Sequence, residues 1–107
     1  MKVELTREEL LDVALLDVIA DGAPFPVDAV FSETQEWCAD LEAWSPDVWP
    51  LLDAVPPTAE LEDRLGWLQR LGMVRRGDGF VVITRAGLQM WDGFPWEYYS
   101  EEEEDEP

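Results

Sequence analysis

The chain has 107 residues, with 25 acidic side chains against 7 basic ones, a net charge of −18 and a pI near 4.1. That length accommodates one hydrophobic core but is short for two independent domains. A hydrophobic fraction of 47%, with six Trp, four Phe and two Tyr, excludes a fully disordered chain despite the acidity.

No run approaches the ~20 apolar residues of a membrane helix, and no signal-like hydrophobic segment opens the chain, so the expectation is a cytoplasmic protein with no membrane contact. The single Cys38 and the absence of His exclude an intramolecular disulfide and Cys/His zinc sites. Cys38 sits among Trp37, Ala39 and Leu41 and reads as a small buried side chain rather than a redox centre. No metal or cofactor is expected.

Thr6 followed by Glu9 predicts a capping box at the start of the first helix. Leu11, Ala14 or Leu15, Val18 and Ile19 form its core stripe, with Leu10 and Leu16 widening it and Asp21-Gly22 as its stop. Pro24 and Pro26 keep the following link from extending the helix. Val27 to Val30 start a helix after Pro26, and Ser32 with Gln35 offers a second cap before Trp37, Cys38 and Leu41; one bent helix or two short ones fit this stretch. Ser45-Pro46 reads as another helix start, limited by Pro50. Pro56-Pro57 marks a boundary before Thr58, the expected cap of the next helix.

The chain is organised around residues 58–91. Leu61, Leu65, Leu68 and Leu71 recur at helical spacing, and Gly72 is a left-handed C-cap. Met73 to Arg76 and Phe80 to Ile83 are β-prone runs joined by Gly77-Asp78-Gly79, in which Asp78-Gly79 suits a tight hairpin turn. Thr84 then caps a short helix through Met90.

Leu65, Leu68, Leu71, Gly72, Val74, Phe80, Ile83, Thr84 and Gly87 together resemble the end of a winged helix-turn-helix domain. That likeness implies a mainly α fold with a small β-hairpin, an α+β winged-helix-like domain over residues 1–99 with an elaborated segment before the third main helix. Residues 100–107 are expected to form a flexible acidic tail, because like charges repel and no apolar side chain orders them. The resemblance also implies that the helix before the wing can enter a DNA major groove, with basic residues on helix and wing meeting phosphate.

The face that would do so is acidic. At about 100° per residue, Asp63 and Arg70 lie opposite Leu61, with Ala59 and Gly66 nearby and Glu62 and Gln69 on one flank. Arg64, four residues after Glu60, reads as a surface ion pair within the helix. Removing Glu101 to Glu106 takes away six carboxylates and changes the net charge only from −18 to −12, so the folded region is acidic as well. Such a field opposes a phosphate backbone and favours a basic protein; adaptation to a salty cytoplasm is a competing source of the same acidity.

No set of carboxylates forms a catalytic constellation, and no Gly-rich phosphate loop is present, so the chain is not expected to be an enzyme. The functional expectation is an acidic protein-interaction module. It is read as an accessory factor or inhibitor of a basic nucleic-acid-binding protein, acting as a nucleic-acid mimic. Candidate contacts are Glu62, Asp63, Asp40 and Glu42, with Trp44 and Trp49 supplying apolar area. The alternative is a DNA-binding transcription regulator using Arg70, Arg75, Arg76 and Arg85, with the wing arginines on phosphate and Arg70 near bases. Oligomeric state, a homodimer included, is left open by the sequence.

Overall fold

In the computed structural model, which describes residues 6–93, the first helix is the hub. α1 (Arg7–Val18) begins with the expected capping box: Thr6 Oγ1 accepts the Glu9 amide and Glu9 Oε1 accepts the Thr6 amide, each at 3.1 Å. Its burial is wider than a one-sided stripe, since every side chain from Leu10 to Leu16 is buried. A helix enclosed on all sides needs neighbours on all sides. α1 has them, packing against α2 (Val27–Trp44), α3 (Thr58–Arg70) and α4 (Arg85–Asp92).

The proline-bounded link after α1 contributes a short strand, β1 (Phe25–Pro26), that the sequence did not suggest. The next stretch is one helix: Val27–Trp44 runs unbroken, and Ser32 is no cap but returns its hydroxyl to the Ala29 carbonyl at 3.2 Å. Val30, Phe31, Thr34, Cys38 and Leu41 form its buried side. Pro46 and Pro50 reduce the following segment to turns and a short 3-10 helix, Trp49–Leu51. α3 starts at Thr58, yet Thr58 does not cap it; Pro57 occupies the cap position without a side-chain bond. Gln35 of α2 instead reaches across, donating to the Pro56 carbonyl at 3.0 Å.

Leu61, Leu65 and Leu68 are fully buried. Leu71 departs from the expected stripe, being 46% exposed, because the helix has turned away by its C-cap. The stop is a Schellman motif: Gly72 takes φ +81°, its amide donates to Gln69 O at 3.0 Å, and the Met73 amide donates to Leu68 O at 2.9 Å. β2 (Val74–Gly77) and β3 (Phe80–Ile83) follow as an antiparallel hairpin. Asp78 and Gly79 both take positive φ, 56° and 79°, which matches the twist of a two-residue hairpin turn. β1 pairs with the other side of β3, giving a three-stranded antiparallel sheet in the order β1-β3-β2. Val74, Val81 and Ile83 point into the core, and Arg75, Phe80 and Val82 point away from it.

α4 is capped by Thr84, whose hydroxyl accepts the Gly87 amide at 3.1 Å and donates to Gly72 O at 2.6 Å. One threonine thus ties the start of the last helix to the end of α3. Gly87 is required there by packing, since a Cβ would overlap the Met73 carbonyl oxygen and lie 2.8 Å from Ile83 Cγ1. The fold is mainly helical with this small sheet. Among the described residues no helix is long and apolar enough to cross a membrane.

Candidate functional site

Three of the six arginines between residues 6 and 93 hold the fold together. Arg64 places two nitrogens on the Asp12 carboxylate at 2.8 Å each, linking α3 to the centre of α1. This corrects the expected pairing of Arg64 with Glu60 on its own helix. Glu60 belongs to Arg7, whose guanidinium donates to both Glu60 oxygens at 2.9 and 2.8 Å and to the Leu52 carbonyl at 2.9 Å. The arginine therefore fastens the 3-10 segment to α3. Arg76 reaches Glu62 at 3.2 Å across the junction of β2 and α3.

These contacts alter the charges left for a partner. Glu62 is already half of an ion pair, while Asp63 stands on the outward side of α3 with Arg70. Trp67 shares that side, 5.8 Å from Arg64 and 5.6 Å from Arg70 by ring centroid, in cation–π range. The outward face of α3 is therefore mixed in charge and partly aromatic.

The purely acidic surface is α2. Asp28, Glu33, Glu36, Asp40 and Glu42 are all exposed, the helix contains no Lys or Arg, and none of the five joins an ion pair among the described residues. Glu33, Glu36 and Asp40 fall at i, i+3 and i+7, so they share one face. Trp37 and Trp44, seven residues apart, flank it edge to face with centroids 5.5 Å apart. Trp44 is 41% exposed at the rim. Trp37 is anchored, donating its indole N–H to Asp17 Oδ2 at 2.8 Å, while Trp91 of α4 donates to the other oxygen, also at 2.8 Å. One carboxylate thereby locks two indoles and fixes the angle of α2 against α4.

Of the residues expected to meet a protein, Asp40 and Trp44 lie on this face. Glu42, about 200° further round the helix from Asp40, lies on the opposite flank. Trp49 is partly buried against the core. Glu33 and Glu36 were not singled out from the sequence: they follow Ser32 and share a face with Asp40 whether the stretch is one helix or two, but exposed carboxylates at helical spacing read equally as a plain solvated surface.

The arginines expected to meet DNA are brought together more closely. Arg75, Arg76 and Arg85 line one open groove of about 570 Å³ with Gln69, Gly72 and Thr84. Arg70 lies outside that lining and stacks on Trp67. Arg75 and Arg85 are exposed and join no ion pair among the described residues. Three of the six described arginines therefore converge where the hairpin and α4 meet, while α2 carries carboxylates alone.

Among the described residues no group of three His, Cys, Asp or Glu is placed to hold a metal ion. Cys38 is fully buried, and burial pushes its thiol up to about 12. Asp12 is buried but fully engaged by Arg64. No protein-family model matches the chain, and neither a curated protein nor a solved structure shows significant similarity to it.

Proposed function

We propose that this chain is a non-enzymatic, acidic protein-interaction module on a winged-helix-like scaffold, recruiting a basic protein surface through the outer face of α2. The observation that carries the reading is the unbroken acidic face of Glu33, Glu36 and Asp40, with no base on the helix and an exposed indole, Trp44, at its edge. Carboxylates there steer a cationic partner and the indole supplies desolvated contact area. A helix packed on α1 and tied through Trp37 to Asp17 presents those groups at a reduced ordering cost. The order helix, strand, two helices, hairpin and helix supports the winged-helix scaffold. An accessory factor or inhibitor of a nucleic-acid-binding protein fits this chemistry, because a row of carboxylates can compete with phosphates for the same lysines and arginines.

A photo-crosslinking residue in place of Trp44 tests the reading in cells that make the protein. The expected product is a covalent complex with a polypeptide of net positive charge, lost when Glu33, Glu36 and Asp40 are changed to Gln, Gln and Asn. Crosslinking to nucleic acid, or a protein adduct indifferent to those changes, would defeat it.

A second reading has its own observation. The groove of Arg75, Arg76 and Arg85 lies beside α3, where a winged-helix protein would meet phosphate. Under that reading a Arg75→Ala/Arg85→Ala variant binds duplex DNA more weakly than the unaltered chain, with a shallower salt dependence. Equal affinity and salt slope would remove the wing from consideration.

A further inference from the structure

We infer that the outward face of α3 pairs with the same face of a second copy of the chain, as two antiparallel helices about a twofold axis. The face carries one acid and one base without ionic partners. Asp63 and Arg70 are exposed, and neither joins an ion pair among the described residues. They are seven residues apart, so they point the same way but stand about 10.5 Å from each other along the helix, too far to meet. No opposite charge lies three or four residues from either one, where a neighbour on the same helix could answer it. Within α3 both charges are left to solvent, and one further helix can answer both.

The spacing suits a copy of the same helix. In an isologous pair every contact is made twice, residue i of one copy with residue j of the other and the reverse. With the axis passing between Gly66 and Trp67, halfway between Asp63 and Arg70, the Asp63 of each helix falls opposite the Arg70 of the other. Gly66 then sits at the closest approach. Only Arg70 Nη1, at 3.9 Å, comes near the place its Cβ would take, and that is the end of a flexible side chain. The missing side chain lets the two axes come within the about 8–10 Å of close helix packing. Trp67 lies to one side of the face and is 40% exposed. A twofold axis perpendicular to both helices keeps that flank on the same side in both copies, so the two indoles meet beside the axis and leave water together. A tryptophan bordered by arginine is the composition that carries binding energy at the centre of interfaces.

The net charge of −18 opposes association. At about 0.15 M salt the screening length is about 8 Å, so repulsion between distant carboxylates of the two copies is damped while pairs in contact across the helices are not. The dimer is weak, since one pair of 13-residue helices, about 20 Å long, makes a small interface. It covers the face that a winged-helix protein would lay in a DNA groove. None of Glu33, Glu36 and Asp40 takes part, so this inference stands or falls separately from the proposed role of α2.

Sedimentation equilibrium of the full chain at physiological salt tests the pairing. The apparent mass is expected to rise with concentration from 12.2 kDa toward twice that value. Asp63→Arg alone and Arg70→Asp alone each set like charges against one another at both ends of the pair, and each is expected to weaken dimerisation roughly tenfold or more. An equimolar mixture of the two variants is expected to dimerise again, because the arginine introduced in one chain meets the aspartate introduced in the other while the unaltered Asp63 and Arg70 also meet. A chain that keeps its single mass at every concentration reached, or a dimer indifferent to both substitutions, would overturn the proposal. A loss that mixing does not repair would overturn the antiparallel pairing on which it rests.

Discussion

Arg64→Met breaks the ion pair that joins α3 to the middle of α1. Methionine keeps an aliphatic stem and removes the fork that holds Asp12, together with the weaker cation–π contact of that guanidinium with Trp67. Asp12 is 4% exposed and accepts two bonds of 2.8 Å from Arg64. Removing one partner of a buried pair costs about 3–5 kcal/mol, and the partial exposure of Arg64 places the expected loss near ~3 kcal/mol. Against a domain stability of about 5–15 kcal/mol the variant still folds, but its urea midpoint is expected to fall by roughly 2 M. Changing Asp12 to Leu in the same chain removes the stranded carboxylate and is expected to recover most of the loss, since an apolar pair of similar volume often matches a buried ion pair within ~1 kcal/mol.

The pH dependence supplies a sign as well as a size. Burial holds the Asp12 carboxyl above its ordinary value of 3.8 even though Arg64 pulls it down; in Arg64→Met the burial remains, with the nearby charges of Glu8 and Glu9, and the carboxyl rises further. A carboxyl raised in the folded state binds its proton more tightly there than in the unfolded chain, so lowering the pH through that raised value favours folding. The deficit of Arg64→Met relative to the unaltered chain is therefore expected to shrink as pH falls from neutral toward the ordinary carboxylate range. Glu60 works in the opposite direction: the hydrogen bonds from Arg7 hold it low, and its contribution is lost as pH falls through the lowered value. Urea titrations at several pH values give both results. A loss below ~0.5 kcal/mol at neutral pH, well under the range for a buried pair, or a deficit constant with pH, would refute the reasoning.

Other expectations follow from the packing. Leu65→Ala and Leu68→Ala each remove a fully buried side chain and are expected to cost about 2–5 kcal/mol by equilibrium denaturation, whereas Leu71→Ala at the exposed C-cap is expected to stay within ~0.5 kcal/mol. Gly87→Ala drives a methyl into the Met73 carbonyl, which is backbone and cannot rotate aside, so a loss of about 1–3 kcal/mol is expected, and a neutral result would mean that α4 sits further from the sheet. Cys38 is expected to resist thiol reagents at neutral pH until the chain is unfolded in urea, and rapid labelling of the native protein would contradict its burial.

The parts of the fold legible in the sequence were those governed by local chemistry. Thr6 with Glu9, the glycine at 72, the Asp78-Gly79 turn and Thr84 all do in three dimensions what their residue types favour in a short peptide. The parts that were not legible depend on distant partners. Arg64 and Glu60 are spaced for each other on α3, but Asp12 and Arg7 lie on a helix more than forty residues earlier and offer two-pronged geometry, so each is drawn away. β1 escaped because a Phe-Pro pair following Pro24 carries no alternating pattern, and only the free edge of β3 gives it a partner. On the site, the acids of α2 were visible in the sequence, but spacing alone does not say that Glu33, Glu36 and Asp40 join no ion pair with an arginine from elsewhere among the described residues. Trp37 and Trp91 meeting on Asp17 could not be read from spacing at all.

The central claim is that the outer face of α2 engages a basic protein. Its most direct measurement is a salt series comparing the crosslinked partner, once purified, with duplex DNA as ligands of the full chain, of the Glu33→Gln/Glu36→Gln/Asp40→Asn variant and of the Arg75→Ala/Arg85→Ala variant. The expected result is salt-sensitive binding of the partner that weakens at least tenfold, ~1.4 kcal/mol, when α2 is neutralised and stays unchanged in the arginine variant, with no measurable affinity for the duplex. Duplex binding that disappears in the arginine variant, together with partner binding indifferent to the α2 changes, would contradict the account.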